Sequence, residues 1–206
     1  MRRGPAPSGR RVSNALAGLA WFVGLVALPL AGHAQTAEAV QSRMQAWSKA
    51  LGVECSHCHI EGDYKAAVLP TFDMAFRMNR MVDAVNQNDI VKNAGGIACA
   101  TCHGGTARPQ ELEPKAWQAI ADKYDSAFDG DGNLRISMSY YAAALGVDCT
   151  HCHVAGNYGS DDNPMEAVAR RMRAIAGSLP KHFAGAPKQP GIQCFACHQG
   201  RSKPGR

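Results

Sequence analysis

All eight cysteines of this 206-residue chain lie in C-x-x-C pairs, and a histidine directly follows every pair. C-x-x-C-H is the attachment signature of c-type haem. The two thiols form thioethers with the two vinyl groups on one edge of the porphyrin, and the next residue turns its imidazole toward the iron. The pattern predicts four covalently attached haems (heme c) on Cys55, Cys58, Cys99, Cys102, Cys149, Cys152, Cys194 and Cys197, with His59, His103, His153 and His198 as iron ligands.

Three other uses of paired cysteines fit this sequence less well. Zinc sites need no histidine after each pair, and their pairs usually lie closer together than these. An even cysteine count in an exported chain suggests disulfides, but disulfides leave the four histidines unexplained. A thioredoxin-like motif calls for a βαβ pattern, which the sequence lacks.

The first 34 residues have the pattern of an export signal. Four arginines precede an apolar run from Ala15 to Leu30, and small residues stand at Gly32 and Ala34. This pattern predicts a signal peptide at 1–34, cleavage after Ala34 and a periplasmic location. The alternative is an uncleaved segment that anchors the chain in the membrane. The rest of the chain has 18 Lys and Arg against 17 Asp and Glu, and nothing in it indicates nucleic-acid binding.

An internal repeat divides the remaining chain into two halves. LGVECSHCHIEGDY, from Leu51, returns almost unchanged as LGVDCTHCHVAGNY from Leu145, 94 positions later. We expect a first dihaem half at 35–120 and a second at 121–206, each with the order helix, motif, helix, loop, motif. The predicted fold is mainly α with few or no strands: a multihaem cytochrome c of two pseudo-symmetric dihaem halves, in which the haems form the core.

The connection between the halves is predicted to be a turn-rich hinge. It runs from about Pro109 to Asn133 and contains the stretch FDGDGN. That stretch resembles a calcium-binding loop but lacks the glycine at loop position six and the glutamate at position twelve. We therefore expect no calcium site there.

Methionines are the candidate ligands on the second face of each iron. Apart from the four predicted iron ligands, the mature chain has only three histidines: His57, His151 and His182. The first two lie between the cysteines of a motif, where they cannot reach the far face of their own haem. Met44 and Met138 each lie 11 residues before a motif, on helically spaced segments that end at a glycine. Eleven helical residues extend roughly 16 Å, enough to lie along a haem face.

The second motif of each half shows a different spacing. Met78 precedes Cys99 by 21 residues, and Met172 precedes Cys194 by 22. Prolines mark the starts of the two helices that carry these methionines, and a Gly-rich or Pro-rich loop then leads back to the motif. Met74 and Met81 lie one turn from Met78 and are rival ligands. The four predicted methionine ligands are Met44, Met78, Met138 and Met172.

These residues resemble the tetrahaem cytochrome subunit of photosynthetic reaction centres. The likeness lies in LGVDCTHCH with its upstream Met138, in AVARRM ending at Met172, and in the closing motifs CATCHGGTARP and CFACHQGRSKP. It implies haems in a row and electron delivery to an oxidised partner at the periplasmic membrane face. Those subunits usually take one histidine ligand from the stretch before the second motif, which here reads NQNDIVKNAGGIAC and has none. His182 is a spare ligand.

We expect an electron carrier rather than an enzyme, because a methionine is available to close each haem. The expected partners are redox proteins at the membrane surface, either a photosynthetic reaction centre or a respiratory oxidase or reductase, and peripheral membrane association is a further option. Two other classes stay open. One is a multihaem enzyme with an open haem, such as a peroxidase or nitrogen-oxide reductase, and the other is a conducting filament of stacked units.

Overall fold

Helices supply the regular secondary structure in the described part of the chain, as the sequence predicts. The computed structural model describes residues 36–123, 132–187 and 191–205. Its α-helices are α1 (Ala37–Leu51), α2 (Pro70–Asn86), α3 (Asp89–Asn93), α4 (Cys99–His103), α5 (Pro114–Lys123), α6 (Gly132–Leu145), α7 (Pro164–Ser178) and α8 (Cys194–His198). Short 3-10 helices lie at Cys55–His57, Cys149–His151 and Leu179–Phe183. The described residues contain no strand, only isolated bridges from Ile60 to Asp63 and from Val154 to Asn157.

The helices before the first and third motifs end where the sequence indicates. The Thr36 hydroxyl accepts a hydrogen bond from the backbone N–H of Ala39 at the start of α1. Gly52 and Gly146 follow α1 and α6 with φ of 62° and 63°. A residue without a Cβ atom adopts this left-handed conformation at little cost, so each glycine ends its helix.

The second helix of each half begins at the predicted proline. Pro70 and Pro164 occupy the first turn of α2 and α7, where a missing backbone N–H costs no helical hydrogen bond. Asn163 also caps α7, because its side chain accepts a hydrogen bond from the Met165 N–H. The two helices therefore start 94 residues apart, which is the spacing of the sequence repeat.

A buried apolar cluster joins the two halves. It combines α2 and α3 of the first half with the 3-10 helix that follows α7, and its members are Met81, Val85, Val91, Leu179 and Phe183. The Arg77 guanidinium adds a polar link, because its Nη1 donates to the Ala184 carbonyl at 2.8 Å. From Thr36 onward the chain packs as one compact unit.

The connection between the halves differs from its prediction. A turn-rich hinge was expected, but Pro114–Lys123 forms α5, which packs along α6. The segment PKAWQAIADK begins with proline and brings apolar residues to one face, and packing against α6 stabilises such a helix. Most of FDGDGN lies outside the described residues, and its last two residues begin α6.

The predicted signal peptide, residues 1–34, also lies outside the described residues. No helix in the described ranges is long and apolar enough to cross a bilayer. The predicted division into halves at 35–120 and 121–206 stays a prediction.

Candidate haem-binding sites

The first motif and its predicted methionine line one cavity. Its walls include Cys55, Cys58 and His59 from the motif, and Met44 from α1. The cavity has a volume of about 50 Å³, is partly open to solvent, and has a mostly apolar lining. The structure thus brings together the four residues that the sequence assigned to one haem.

Aromatic side chains complete this wall, and the sequence reasoning missed them. Phe72 and Phe76 on α2 have ring centroids 5.0 Å apart, and Phe76 meets Trp47 of α1 edge to face at 5.5 Å. Phe72 also lies edge-on to the His59 ring at 5.4 Å. The i, i+4 spacing of the two phenylalanines on a helix was the available signal.

The start of the following helix holds each outer motif, meaning the first motif of a half. The Thr71 hydroxyl of α2 donates to the His57 carbonyl at 2.5 Å. In the second half the Asn163 amide donates to three carbonyls of the third motif, at 3.3 to 3.5 Å; these belong to Thr150, His151 and His153. The backbone carbonyls of His57 and His151 therefore anchor the motif loop, while the His57 side chain is exposed and the His151 side chain half-buried.

The inner motifs, meaning the second motif of each half, lie against one another. Helices α4 and α8 are in contact, and the Gln199 amide donates to the Cys102 carbonyl at 3.3 Å. Cys102 and Cys197 form a disulfide in this structure, while the other six cysteines are free thiols. A sulfur in a disulfide cannot also carry a thioether, so this bond and haem attachment at these two positions exclude one another.

Backbone contacts between glycines fix how the two motifs of each half are spaced. The Gly105 N–H donates to the Ala50 carbonyl at 2.9 Å, and the Gly200 N–H donates to the Ala144 carbonyl at 3.0 Å. A Cβ atom on Gly52 would lie 2.0 Å from the Gly105 carbonyl oxygen. The ends of α1 and α6 therefore each pack directly on the turn that follows the inner motif of the same half.

The remaining methionines lie on the predicted helices. Met138 is half-buried on α6, which contacts the fourth motif through α8. Met78 and Met172 both pack against the buried cluster between the halves, and so does the rival Met74. The other rival, Met81, is a member of the cluster itself, with 5% of its surface exposed.

His182 belongs to the 3-10 helix that follows α7. It lines a polar pocket at the end of α2, together with Asn88 and Lys181, and no motif residue lines that pocket. The structure therefore does not bring this spare histidine to a predicted haem.

The electrostatics of the thiols disfavour thiolate metal ligands. Burial is the largest cause that raises the pKa of Cys99 and Cys194, and it likewise raises the pKa of Cys58, Cys149 and Cys152. A raised pKa disfavours the thiolate that zinc binding requires, whereas a thioether carries no charge. Among the described residues, no cluster of three or more His, Cys, Asp or Glu side chains could hold a bare metal ion.

The inner motif histidines suit a neutral ligand. Burial lowers the pKa of His103 and His198, and hydrogen bonds to backbone carbonyls of the following turn partly oppose that shift. Neutral imidazole is the form that binds a metal. The two inner histidines therefore suit a haem iron, whereas the Cys102–Cys197 disulfide leaves only Cys99 and Cys194 free for attachment at these motifs.

Comparisons with known proteins show which family the chain is similar to. The model of the family described as photosynthetic reaction centre cytochrome C subunit matches residues 33–148 and 133–206. A "Photosynthetic reaction center cytochrome c subunit" from Rubrivivax gelatinosus (strain NBRC 100245 / IL144) is 24% identical over 219 residues, which is 73% of this chain and 58% of that protein. A protein of the same name from Thermochromatium tepidum is 34% identical over 56 residues, 27% of this chain and 14% of that protein.

A further relative carries a different name. "Cytochrome c-554" from Chloroflexus aurantiacus (strain ATCC 29366 / DSM 635 / J-10-fl) is 36% identical over 64 residues, 30% of this chain and 16% of that protein. The chain thus spans at most 58% of the length of these three relatives. The two family-model matches together cover both halves of the repeat, so the chain belongs to the photosynthetic reaction centre cytochrome c subunit family.

Proposed function

We propose that this protein is an exported tetrahaem c-type cytochrome that transfers electrons in the periplasm. The observation that carries the proposal is the cavity where Met44 of α1 faces the same space as Cys55, Cys58 and His59. Cysteines that attach the porphyrin, with a histidine and a methionine as iron ligands, are typical of electron-transfer haems. The repeat supports extending this set to the other three motifs.

We assign one methionine to each motif histidine. The pairs are His59 with Met44, His103 with Met78, His153 with Met138, and His198 with Met172. Haem bound in this way supplies a one-electron couple. The paired histidine and methionine would hold each iron, and Trp47, Phe72 and Phe76 give the first cavity an apolar wall. Such sites carry electrons and leave no iron position for a substrate, so an enzymatic role is not proposed.

The proposed partner is a photosynthetic reaction centre, for which the relatives are named. After residue 34 the positive and negative side chains of the chain nearly balance. The propionates of bound haems would make the protein acidic, and an acidic surface favours a basic docking surface on the partner. The test mixes the reduced holoprotein with purified reaction centres and follows haem oxidation after a light flash. Oxidation that slows as salt rises is expected. Oxidation by a terminal oxidase but not by the reaction centre would assign the protein to respiration.

The ligand assignment is tested by four variants, in which Met44, Met78, Met138 and Met172 are each changed to Ala. We expect each variant to lose the spectral character of one His/Met haem and to bind carbon monoxide at that haem after reduction. The unchanged protein should bind none. Ready carbon monoxide binding by the unchanged protein would instead indicate an open haem and an enzyme.

The haem count is tested by mass. We expect the purified holoprotein to have the mass of the mature chain plus four haems, and peptide mapping to find Cys102 and Cys197 each bound to haem. Peptides joined by a Cys102–Cys197 disulfide in that protein would limit attachment of the inner haems to Cys99 and Cys194. A mass with fewer than four haems would contradict the count.

A further inference from the structure

The two inner motifs pair their second cysteines with each other. Cys102 and Cys197 form a disulfide with their Cα atoms 4.2 Å apart, whereas the cysteines of both outer motifs are free thiols. A sulfur in a disulfide has no position left for a porphyrin, so the inner motifs, as the structure has them, do not fit covalent haem. The pairing follows the repeat, because these two cysteines hold the same position in the second motif of each half.

Packing of the backbone, and not the sulfur bond alone, brings these two cysteines together. Their helices α4 and α8 are in contact, and the Gln199 side-chain amide donates to the Cys102 carbonyl at 3.3 Å. Each inner motif is also held by its own half, since the turn after it is hydrogen-bonded to the end of α1 or of α6. The two sulfurs therefore meet because of how the halves fold and pack.

The bond cross-links the halves at a second junction. The first junction is the buried apolar cluster, to which α2 contributes Met81 and the second half contributes Phe183. Cys102 and Cys197 are 95 residues apart along the chain, and a disulfide that closes a long loop removes much of the freedom of the unfolded chain. The covalent and the apolar junction therefore stabilise the same arrangement of the two halves.

The first cysteine of each inner motif is the competing partner for the second. Cys99 precedes Cys102 by three residues in α4, and Cys194 precedes Cys197 by three in α8. Burial is the largest cause that raises the pKa of Cys99 and of Cys194. The thiolate is the form that attacks a disulfide, so a raised pKa slows exchange at these two thiols. The bond across the halves is therefore favoured over a bond within either motif.

We propose that Cys102 and Cys197 form a thiol–disulfide switch that locks the two halves together before haem is attached. The thiolate of one cysteine attacks a disulfide oxidant and releases one thiol of that oxidant. The thiolate of the other cysteine then attacks the mixed disulfide, which forms the Cys102–Cys197 bond and releases the second thiol. The two cysteines lose two electrons and two protons, and the oxidant gains them. A dithiol reductant reverses the exchange.

One bond occupies a cysteine of each inner motif, so the switch closes and opens both motifs at once. Its chemical partners are a disulfide that oxidises the pair and a dithiol that reduces it. The export proposed above supplies an oxidising compartment in which such bonds form. The chemistry of the pair itself does not rest on the haem count, the iron ligands or the redox partner proposed above.

The test uses the full chain, produced without haem and fully reduced. It is equilibrated with mixtures of oxidised and reduced glutathione, quenched with acid, alkylated and mapped by mass spectrometry. We expect peptides joined through Cys102 and Cys197 to exceed those with a disulfide inside either inner motif by at least about tenfold, because the fold holds these two sulfurs together. A smaller excess, a mixture of pairs or a main product inside one motif overturns the inference.

Two single variants test the lock between the halves. Oxidation by glutathione should raise the denaturant midpoint of the unchanged chain, because the cross-link restricts its unfolded state. Cys102→Ser should abolish this rise. Cys99→Ser is the matched control from the same motif, and it should keep the rise because the Cys102–Cys197 pair remains.

Three results overturn the inference: no rise in the unchanged chain, a rise that survives Cys102→Ser, or a rise that is lost in Cys99→Ser. No haem takes part in either measurement. A failure here therefore leaves the haem count of the holoprotein to its own measurement of mass.

Discussion

At the scale of single residues, the glycine pair between the motifs of each half is the feature most sensitive to substitution. Gly52 has φ of +62°, and a Cβ atom there would lie 2.0 Å from the Gly105 carbonyl oxygen. Gly146 repeats this arrangement against Gly200. Because the neighbour is backbone rather than a flexible side chain, it cannot move aside without displacing the inner motif.

Gly52→Ala is therefore expected to destabilise the holoprotein by more than about 2 kcal/mol, since backbone strain and overlap add. Gly62→Ala is the matched control, because Gly62 also has positive φ (82°) but nothing lies within 4 Å of the new Cβ. The control should cost about 1 kcal/mol, from backbone strain alone. Denaturant unfolding followed by haem absorption measures both changes. Equal costs would show that the glycine contact is not tight.

At the scale of elements, the first turn of the helix after an outer motif both starts that helix and holds the motif loop. Asn163 combines the roles, because its oxygen caps α7 while its nitrogen donates to the carbonyls of the third motif. Asn163→Ala removes both, and we expect it to cost about 2 kcal/mol.

Asn163→Asp separates the two roles. Its carboxylate keeps the cap and suits a helix N-terminus, but it has no donor for the three carbonyls. We expect Asn163→Asp to lower the free energy of unfolding, but by less than Asn163→Ala does. The measurement is thermal unfolding, together with hydrogen exchange of the α7 amides, which should lose protection in the alanine variant only. Loss of α7 protection in both variants would contradict the separation.

Tyr140 connects α6 to α8 and gives stability a pH dependence. Burial is the largest cause that raises its pKa above the ordinary value of 10.0, and a hydrogen bond from the Phe195 backbone partly opposes it. A raised folded-state pKa stabilises the fold below the unfolded pKa, and this contribution is lost as pH rises through the folded pKa. Free energies of unfolding measured from pH 9 upward should therefore fall less in Tyr140→Phe than in the unchanged protein. Parallel curves would contradict this assignment.

The elements also show what the sequence could and could not predict. Helices α1 and α6 were predictable because each carries helical spacing and ends at a glycine, both of which are local signals. Helix α5 was missed because packing against α6 stabilises it, and the glycines and aspartates of FDGDGN dominate the local pattern. At the site, Met44 could be placed by register, while Trp47, Phe72 and Phe76 could not be assigned to one wall without the tertiary contact between α1 and α2. The contact between α4 and α8 joins segments 95 residues apart, and no periodicity indicates such a pairing.

At the scale of the whole molecule, the two halves share one core. Phe183 of the second half is fully buried in the cluster that contains Met81 and Val85 of α2. Leu179, from the same 3-10 helix as Phe183, is 7% exposed in that cluster. A sequence duplication alone is compatible with two dihaem units that unfold separately. A shared core instead couples them, because neither half buries these side chains without the other.

Phe183→Ala tests this coupling. Removing a fully buried phenylalanine ring should cost about 3–5 kcal/mol. Because the cluster draws on both halves, we expect the haems of both halves to lose their native spectra in one transition, shifted to lower denaturant. Ile60→Ala is the control, since Ile60 is 44% exposed and outside the cluster, and it should shift the midpoint little. If Phe183→Ala displaced only the signals of the haems on His153 and His198, the halves would be independent units that merely touch.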